Sequence, residues 1–263
     1  MTVTVRDVRA FKQRGERFAM LTAYDVPTAS ILDEAGIPVL LVGDSLAQNI
    51  LGYETTLPVT MEEMLHHTRA VSRGATNALI VGDMPFLSYQ TSLEDGIRNA
   101  GRFLKEGGAH AVKIEGPMDA LAQALVDRGI PVMGHLGLTP QSVHAMGGYR
   151  VQGKTDHDAQ RLLVEAEHMS KAGAFAIVLE GIPSEVARQI TEAVDVPTIG
   201  IGAGPHCDGQ VLVLTDLLGL GAGPNPKFAK AYADLRSEIA RAVTAFMDDV
   251  AAGTFPDDAH SYH

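Results

Sequence analysis

Four apolar runs in this chain end in an acidic residue, and these acids are the side chains best suited to chemistry. The runs begin at Ile37, Leu79, Ala111 and Phe175, and they end at Asp44, Asp83, Glu115 and Glu180. Continuous apolar runs of this length are typical of parallel strands that are buried on both faces. An unpaired carboxylate is costly to bury, so each acid must face a cavity, a partner group or a cation. We therefore expect the four acids to line one active site.

Strand alternation predicts that a lysine shares this site. If Glu115 points into the interior, Lys113 does so too, while Val112 and Ile114 face the surrounding helices. Two interpretations of Lys113 remain open: a structural ion pair with Glu115, or a binding group for an anionic part of a substrate. Polar residues at the carboxyl ends of barrel strands are usually catalytic, which favours binding.

Three of the acids predict a metal site. Asp44, Asp83 and Glu115 end consecutive strands, which a parallel barrel places side by side. Three carboxylates at close range do not all stay ionised without a cation, and hard oxygen ligands suit Mg²⁺. The histidine spacings of zinc sites are absent from the sequence. The alternative is that these acids cap helices, which explains one acid but not three beside Lys113.

Three further residues deserve a chemical interpretation. Glu180 ends the sixth predicted strand, across the barrel from the metal acids, and suits a general base or acid. His135 ends the fifth strand and could bind substrate, although a structural histidine is an equal alternative. Cys207 lies in the glycine-rich loop 200–209 without a basic activator, so we predict neither a nucleophile nor a phosphate site there.

The elements that position these residues alternate between strand and helix about eight times. The strands are predicted at 18–24, 37–45, 79–83, 111–115, 130–135, 175–180, 196–201 and 210–215. Glycines such as Gly36 and Gly173 end the helices that separate them. A short amphipathic helix over 5–14 comes first and ends at Gly15. This pattern predicts one (β/α)₈ TIM barrel over residues 1–263, an α/β fold, with a doubly wound open sheet as the alternative.

Bulk composition excludes several classes of function. The chain has 263 residues and a formal net charge of -11 without a basic run, so nucleic acid and anionic membranes are poor partners. A single cysteine allows no intrachain disulfide, which fits a reducing compartment. The first residues lack the apolar core of a signal peptide, and the sequence has no membrane-length apolar run. We expect a cytoplasmic protein.

Several longer motifs resemble the ketopantoate hydroxymethyltransferase (3-methyl-2-oxobutanoate hydroxymethyltransferase) family. They include Leu21-Thr-Ala-Tyr-Asp25, Val42-Gly-Asp-Ser45, Asp83-Met-Pro-Phe86, Val112-Lys-Ile-Glu-Gly116, Gly134-His-Leu-Gly-Leu-Thr-Pro-Gln-Ser142 and Ile199-Gly-Ile-Gly-Ala-Gly-Pro-His-Cys-Asp-Gly-Gln210. The resemblance spans nearly the whole chain. It implies a Mg²⁺-dependent (β/α)₈ barrel that acts in pantothenate biosynthesis and assembles as a homodecamer.

The resemblance also implies roles for individual residues. Asp44, Asp83 and Glu115 would bind Mg²⁺, the last directly or through water. Ser45, Asp83 and Lys113 would contact the 2-oxo acid, as would Asp44 and His135, and Glu180 would be the proton acceptor. The implied reaction is an aldol-type transfer of a hydroxymethyl group from 5,10-methylenetetrahydrofolate to 3-methyl-2-oxobutanoate, which gives 2-dehydropantoate.

The sequence departs from the family pattern at three places and leaves three rival functions open. The departures are Ala47-Gln48-Asn49, Leu87 where glycine is usual, and Gly181-Ile182 after Glu180. They affect the shape of the pocket but remove none of the metal ligands. The rivals are a metal-free aldolase with Lys113 as a Schiff-base nucleophile, a lyase or mutase of the phosphoenolpyruvate mutase/isocitrate lyase type, and a non-catalytic ligand-binding barrel.

Overall fold

Eight parallel strands close into a barrel in chain order within residues 2–221, 223 and 225–263, which the computed structural model describes. Each strand pairs with the next, and β1 pairs with β8 through Phe18 opposite Gly209. The strands are β1 Phe18–Thr22, β2 Val39–Val42, β3 Leu79–Asp83, β4 Ala111–Glu115, β5 Val132–Gly137, β6 Ala176–Glu180, β7 Thr198–Ile201 and β8 Gly209–Leu212. The predicted (β/α)₈ barrel is confirmed, and the β1–β8 pairing excludes an open sheet.

Helices precede the barrel and connect its strands. They are α1 Val5–Arg14, α2 Val26–Glu34, α3 Leu46–Asn49, α4 Met61–Gly74, α5 Leu93–Arg102 with a π-helical turn at Phe103–Gly107, α6 Asp119–Val126, a 3₁₀ turn at Pro140–Ser142, α7 Asp156–Lys171 and α8 Ser184–Ala193. Two further helices follow β8, namely α9 Leu214–Leu217 and α10 Leu235–Ala252, before a 3₁₀ turn at Asp258–His260.

A single apolar cluster fills the interior of the barrel. Its members come from all eight strands at alternating positions, as in Val39 and Leu41 of β2 or Leu79 and Val81 of β3. Alternation along a strand sends the intervening side chains outward to the helices. The side chains that continue the inward series beyond the cluster must therefore line the mouth of the barrel.

Helix α1 closes off part of this interior, and its predicted limits are confirmed. Thr4 and Asp7 form a reciprocal capping box at its start, and Gly15 ends it with φ 66°. Its Val8 is fully buried in the interior cluster, and Phe11 packs against the same cluster. This helix contributes apolar side chains to the core rather than a group of the site.

The predicted ends of two strands were wrong. The second strand is predicted over 37–45, but β2 ends at Val42. A strand is also predicted over 210–215, but β8 ends at Leu212 and Leu214 begins α9. Short apolar stretches fit strand and helix equally well, and hydrophobic period alone does not separate them.

The chain divides into two compact units, Met1–Val213 and Leu214–His263. The second unit is dominated by α10, whose apolar side chains are exposed, among them Ile239, Val243 and Phe246. The prediction that all 263 residues form a single domain therefore stays a prediction. Among the described residues, none of the helices has both the length and the apolar character needed to span a membrane.

Candidate active site

The carboxyl ends of neighbouring strands bring the predicted site residues together. Asp83, Glu115 and Glu180 are the last residues of β3, β4 and β6. His135 of β5 lies opposite Glu115 in the register of β4 and β5. Asp44 follows β2 after one glycine. The five side chains therefore arise from five consecutive strands of the barrel.

Strand alternation fixes the direction of these side chains. Val81 and Ala111 belong to the interior cluster. Asp83 lies two residues after Val81, and Lys113 and Glu115 lie two and four residues after Ala111, so all three face the interior. They are almost completely buried, with exposed fractions of 1%, 3% and 6%. The mouth of the barrel is thus lined with charge above an apolar core.

Asp44 and Asp83 are in direct contact. The backbone N–H of Asp44 donates to Asp83 Oδ2 at 3.1 Å. Burial is the main reason that the pKa of Asp44 lies well above its ordinary value, and the negative charges of Asp83 and Glu115 add to the effect. Burial likewise raises the pKa of Asp83, although Lys113 opposes that shift. A nearby cation would reverse both shifts.

Lys113 lies between two of the acids. Its Nζ is 2.8 Å from Asp83 Oδ1 and 3.6 Å from Glu115 Oε1. Burial alone would lower the pKa of Lys113, but the adjacent carboxylates outweigh burial and raise it above its ordinary value. An ammonium that keeps its proton is a binding group for anions and a poor nucleophile, so this environment does not favour the Schiff-base hypothesis.

His135 connects Glu115 with Glu180. Its Nδ1 lies 3.3 Å from Glu115 Oε1 and 3.1 Å from Lys113 Nζ, and its Nε2 lies 3.2 Å from Glu180 Oε2. Burial and the Lys113 ammonium lower the pKa of His135, but the two carboxylates outweigh them and raise it to about 9. The imidazolium therefore places a positive charge next to both carboxylates. Glu180 is the most accessible of the group, with 18% of its side chain exposed.

Two residues that the sequence analysis does not single out complete the site. Gln141, in the 3₁₀ turn after β5, donates its backbone N–H to Glu115 Oε2 at 3.0 Å and its side-chain Nε2 to Asp44 Oδ2 at 3.0 Å. Tyr89, in the loop after β3, accepts the backbone N–H of Glu115 at 2.9 Å. Both lie in loops without hydrophobic periodicity, so spacing alone gives no signal for them. For Gln141 the quoted motif over 134–142 is a hint, and for Tyr89 the sequence offers none.

Ser45 and Cys207 have other partners than the charged group. Ser45 Oγ is 2.9 Å from Tyr24 Oη at the start of α3, next to Asp44 in sequence. Cys207 is buried, and burial raises the pKa of its thiol, so it is not activated as a nucleophile. The adjacent Asp208 accepts from Thr198 N–H and pairs with Lys12 Nζ at 3.1 Å. The glycine-rich loop thus helps to close the barrel.

The donors of the site fit a hard divalent cation. Among the residues that the structure describes, Asp83 Oδ1 and Glu115 Oε1 are buried without a hydrogen bond, although Lys113 Nζ lies close to both. Carboxylate oxygens are the ligands that Mg²⁺ prefers. No group of three or more His, Cys, Asp or Glu side chains in that same part of the chain forms a ready-made metal cage. A cation would therefore rest on one or two carboxylates, with water and substrate completing its shell, as is usual for Mg²⁺.

The net charge of the group also favours a divalent cation at this site. The group contains four carboxylates against the Lys113 ammonium and the His135 imidazolium, which leaves two negative charges when all are ionised. Uncompensated charge in a buried site is unfavourable. One divalent cation would neutralise it, whereas a soft metal would find no thiolate here, since Cys207 lies apart from these acids.

The known proteins that match this chain do so along nearly its whole length. The model of a family described as ketopantoate hydroxymethyltransferase matches residues 2–258. The 3-methyl-2-oxobutanoate hydroxymethyltransferase of Syntrophus aciditrophicus (strain SB) is 55% identical over 262 residues, which cover 99% of this chain and 96% of that one. The enzyme of the same name from Koribacter versatilis (strain Ellin345) is 57% identical over 254 residues, covering 96% and 86%.

Solved structures with the same fold are much more distant in sequence. Phosphonopyruvate hydrolase, in a complex with oxalate and Mg²⁺, matches with a TM-score of 0.63 at 13% identity over 100% of this chain and 92% of that one. The 2,3-dimethylmalate lyase, a member of the PEP mutase/isocitrate lyase superfamily, matches with a TM-score of 0.60 at 16% identity over 100% and 93%. At these identities the likeness shows the fold alone.

Proposed function

Because the chain belongs to the ketopantoate hydroxymethyltransferase family, and is therefore a hydroxymethyl-transferring enzyme of the pantothenate pathway, we propose the details of its reaction. It moves a one-carbon unit from 5,10-methylenetetrahydrofolate to 3-methyl-2-oxobutanoate and yields 2-dehydropantoate. The observation that carries this proposal is the convergence of Asp44, Asp83 and Glu115 with Lys113 at the mouth of the barrel.

Asp44 and Asp83 are the proposed ligands of Mg²⁺, with Glu115 directly or through water. When bound, the ion would supply Lewis-acid polarisation of the keto acid's oxygens, which makes the C3 proton more acidic. This role is supported by the close approach of the buried acids, in which the Asp44 N–H bonds Asp83 Oδ2 at 3.1 Å, and by the excess of carboxylates over cations in the group.

Lys113 is the proposed partner of the negative charge on the keto acid. Its ammonium is buried and keeps its proton, so it attracts an anion more strongly than it would in water. Asp44 and Asp83 border the same space, Ser45 offers a hydroxyl beside Asp44, and His135 offers N–H groups. Together these groups would orient the keto acid so that C3 faces Glu180.

Glu180 is the proposed base that removes the C3 proton. His135 Nε2 lies 3.2 Å from Glu180 Oε2, which puts the imidazole next to the carboxylate that would accept the proton. The partial exposure of Glu180 suits a group that meets the substrate at the mouth. Water would add to the methylene carbon of the folate and both of its C–N bonds would break, which releases tetrahydrofolate. The C3 carbanion would form a bond to the released one-carbon unit, the oxygen from water would become the hydroxyl oxygen of the product, and the proton taken by Glu180 would return to that oxygen.

The proposal also covers the partners, the oligomeric state and the cellular compartment of the enzyme. Its partners are a small 2-oxo acid and a reduced folate, and it works as a homo-oligomer, by resemblance a homodecamer, in the cytoplasm. All of residues 1–263 would serve one catalytic domain. The acidic net charge of -11 agrees with the absence of a role for nucleic acid.

Exchange of the C3 proton tests this reaction before the folate enters. The protein is mixed with 3-methyl-2-oxobutanoate in D₂O, and loss of the C3 proton signal is followed by NMR with Mg²⁺ or with a chelator. We expect exchange with Mg²⁺ only, and formation of 2-dehydropantoate after 5,10-methylenetetrahydrofolate is added. Glu180→Gln should slow exchange by about 100-fold or more, the usual contribution of a positioned base.

A matched variant and a trapping experiment separate the rivals. Glu185→Gln, at an exposed position of α8, should exchange the proton at the wild-type rate. If Glu180→Gln exchanged the C3 proton at the wild-type rate, Glu180 would not be the base. Borohydride trapping of a Lys113 adduct without metal would favour a Schiff-base aldolase, and a complete lack of exchange would favour a non-catalytic binding protein.

A further inference from the structure

The side-chain amide of Gln141 has all its hydrogen-bonding capacity in use. Its Nε2 donates to Asp44 Oδ2 at 3.0 Å and to the Met84 carbonyl at 2.9 Å. Its Oε1 accepts from Tyr89 Oη at 2.7 Å and from Gln90 Nε2 at 3.0 Å. Only 5% of the residue is exposed, so water does not compete for these bonds.

The partners allow only one orientation of this amide. A rotation by 180° would turn Oε1 toward the Asp44 carboxylate and the Met84 carbonyl, which are both acceptors. It would also turn Nε2 toward Tyr89 Oη. That hydroxyl accepts the Glu115 N–H at 2.9 Å, and of its two acceptors it lies closer to Gln141 Oε1, at 2.7 Å, than to the Glu115 carbonyl, at 3.4 Å. The donor that faces Asp44 is therefore fixed by the network around it.

The three neighbouring acids share one pattern of hydrogen bonding. Each has one carboxylate oxygen that accepts an N–H: Asp44 Oδ2 from the Gln141 side chain, Asp83 Oδ2 from the Asp44 backbone, and Glu115 Oε2 from the Gln141 backbone. On Asp83 and Glu115 the other oxygen has no hydrogen bond of regular geometry within the described residues and lies 2.8 Å and 3.6 Å from Lys113 Nζ. Gln141 therefore supplies two of the three N–H groups that hold these acids in place.

We propose that Gln141 is a positioning residue for the divalent cation: its amide holds Asp44 so that one carboxylate oxygen faces the ion. This inference rests on the proposed function, because it concerns the same cation. The Asp44 bond is the part that the side chain controls, whereas the Glu115 bond comes from the backbone and persists in any variant. Groups that orient a metal ligand in this way typically contribute a factor of 10 to 100 in metal affinity.

Direct binding of Mn²⁺ tests the role of Gln141 without any need for turnover. Mn²⁺ takes the same carboxylate and water ligands as Mg²⁺. Free Mn²⁺ is counted by electron paramagnetic resonance during titration of the full chain. Gln141→Met keeps the length of the side chain but has no donor. We expect its Kd for Mn²⁺ to rise by about 10- to 100-fold.

Gln90→Ala is the matched control, since Gln90 bonds the same amide from an exposed position and does not touch a carboxylate. Its Kd for Mn²⁺ should stay within about twofold of wild type, because Tyr89 still fixes the amide. If Gln141→Met does not fold, Gln141→Asn takes its place, because the shorter amide does not span Asp44 and Tyr89 together. We expect the same weakening there.

The outcomes distinguish this inference from the proposed function. A wild-type protein that does not bind Mn²⁺ contradicts the proposed metal site and the inference with it. If the wild-type protein binds Mn²⁺ and the Kd of the Gln141 variant lies within threefold of the wild-type Kd, the inference about Gln141 is overturned but the proposed metal site is not. A purely structural role would lower the melting temperature in chelator and leave the Kd unchanged, which counts against positioning as well.

Discussion

Lys113 Nζ lies 2.8 Å from Asp83 Oδ1, and both side chains are at least 96% buried. This ion pair is therefore shielded from water, unlike the exposed pairs on the outer helices such as Lys171 with Glu167. Removal of one partner from a buried pair leaves the other charge uncompensated, which is strongly destabilising. The pair links the stability of the barrel to the chemistry at its mouth.

Replacement of Lys113 should reveal this link. We expect Lys113→Met to lower the free energy of unfolding by about 3–5 kcal/mol in the presence of chelator, because Asp83 and Glu115 lose their cation. Urea unfolding followed by circular dichroism measures the loss. The exposed variant Lys171→Met should change it by less than about 0.5 kcal/mol. A loss below about 1 kcal/mol at Lys113 would contradict a strong buried pair.

Divalent cation should stabilise the protein by mass action. At a free Mg²⁺ concentration of 100 times the Kd, the expected gain is about 2.7 kcal/mol in the free energy of unfolding. Asp44→Asn removes a proposed ligand charge, so most of this gain should disappear. The exposed variant Asp127→Asn should keep it. Thermal unfolding with and without EDTA provides the measurement, and an equal Mg²⁺ effect in Asp44→Asn would exclude Asp44 as a ligand.

Asp33 should be important for the loop that leads into β3. Its carboxylate accepts backbone N–H groups from Thr76, Asn77 and Ala78 at 2.7–3.2 Å, and only 8% of the residue is exposed. An asparagine would turn an NH₂ group toward some of these donors. We expect Asp33→Asn to cost about 2–4 kcal/mol at neutral pH, as for the loss of hydrogen bonds to a buried charge.

The cost of Asp33→Asn should depend on pH. Burial raises the pKa of Asp33, but the backbone donors outweigh burial and lower it below its ordinary value. A carboxyl whose folded pKa is depressed adds stability above its unfolded pKa, about 4, and loses it as pH falls through the folded pKa. The difference between wild type and variant should therefore be largest above about pH 5 and shrink below pH 4. A difference that does not vary between pH 7 and pH 3 would contradict an ionic contribution.

Leu87 has φ 64°, which leucine adopts only with strain. Its side chain is 57% exposed, so little burial offsets that strain. We expect Leu87→Gly to raise the free energy of unfolding by up to about 1 kcal/mol, since relief of strain exceeds the added flexibility of the unfolded chain. The β-branched Leu87→Val should lower it. Chemical denaturation of both variants checks the sign, and a less stable Leu87→Gly would show that the leucine side chain contributes packing.

Asp83, Glu115 and Glu180 could be predicted from the sequence because their placement depends on a single rule. A residue at the carboxyl end of a buried parallel strand faces the mouth when the residue two positions earlier faces the interior, as in Val81 and Asp83. Lys113 and His135 follow by the same rule. It explains why the ends of four consecutive strands, β3 to β6, could be interpreted before their pairing was known, whereas Asp44 lies beyond the end of β2.

The roles of Gln141 and Tyr89 could not be predicted by this rule. They lie in loops after β5 and β3, where the course of the backbone, and not strand alternation, decides which atoms meet. Gln141 reaches Asp44 across 97 residues of sequence, a contact that no local pattern encodes. The predicted end of β8 was wrong for a related reason. The apolar residues between Val211 and Leu214 fit a strand and a helix equally well.

The Lys113 ammonium lies beside two of the proposed metal ligands, 2.8 Å from Asp83 Oδ1 and 3.6 Å from Glu115 Oε1. If Asp83 and Glu115 held a divalent ion, which would supply Lewis-acid polarisation, their negative charge would be shared between two cations. The ammonium would then be less fully neutralised by the protein and would attract the carboxylate of the keto acid more strongly.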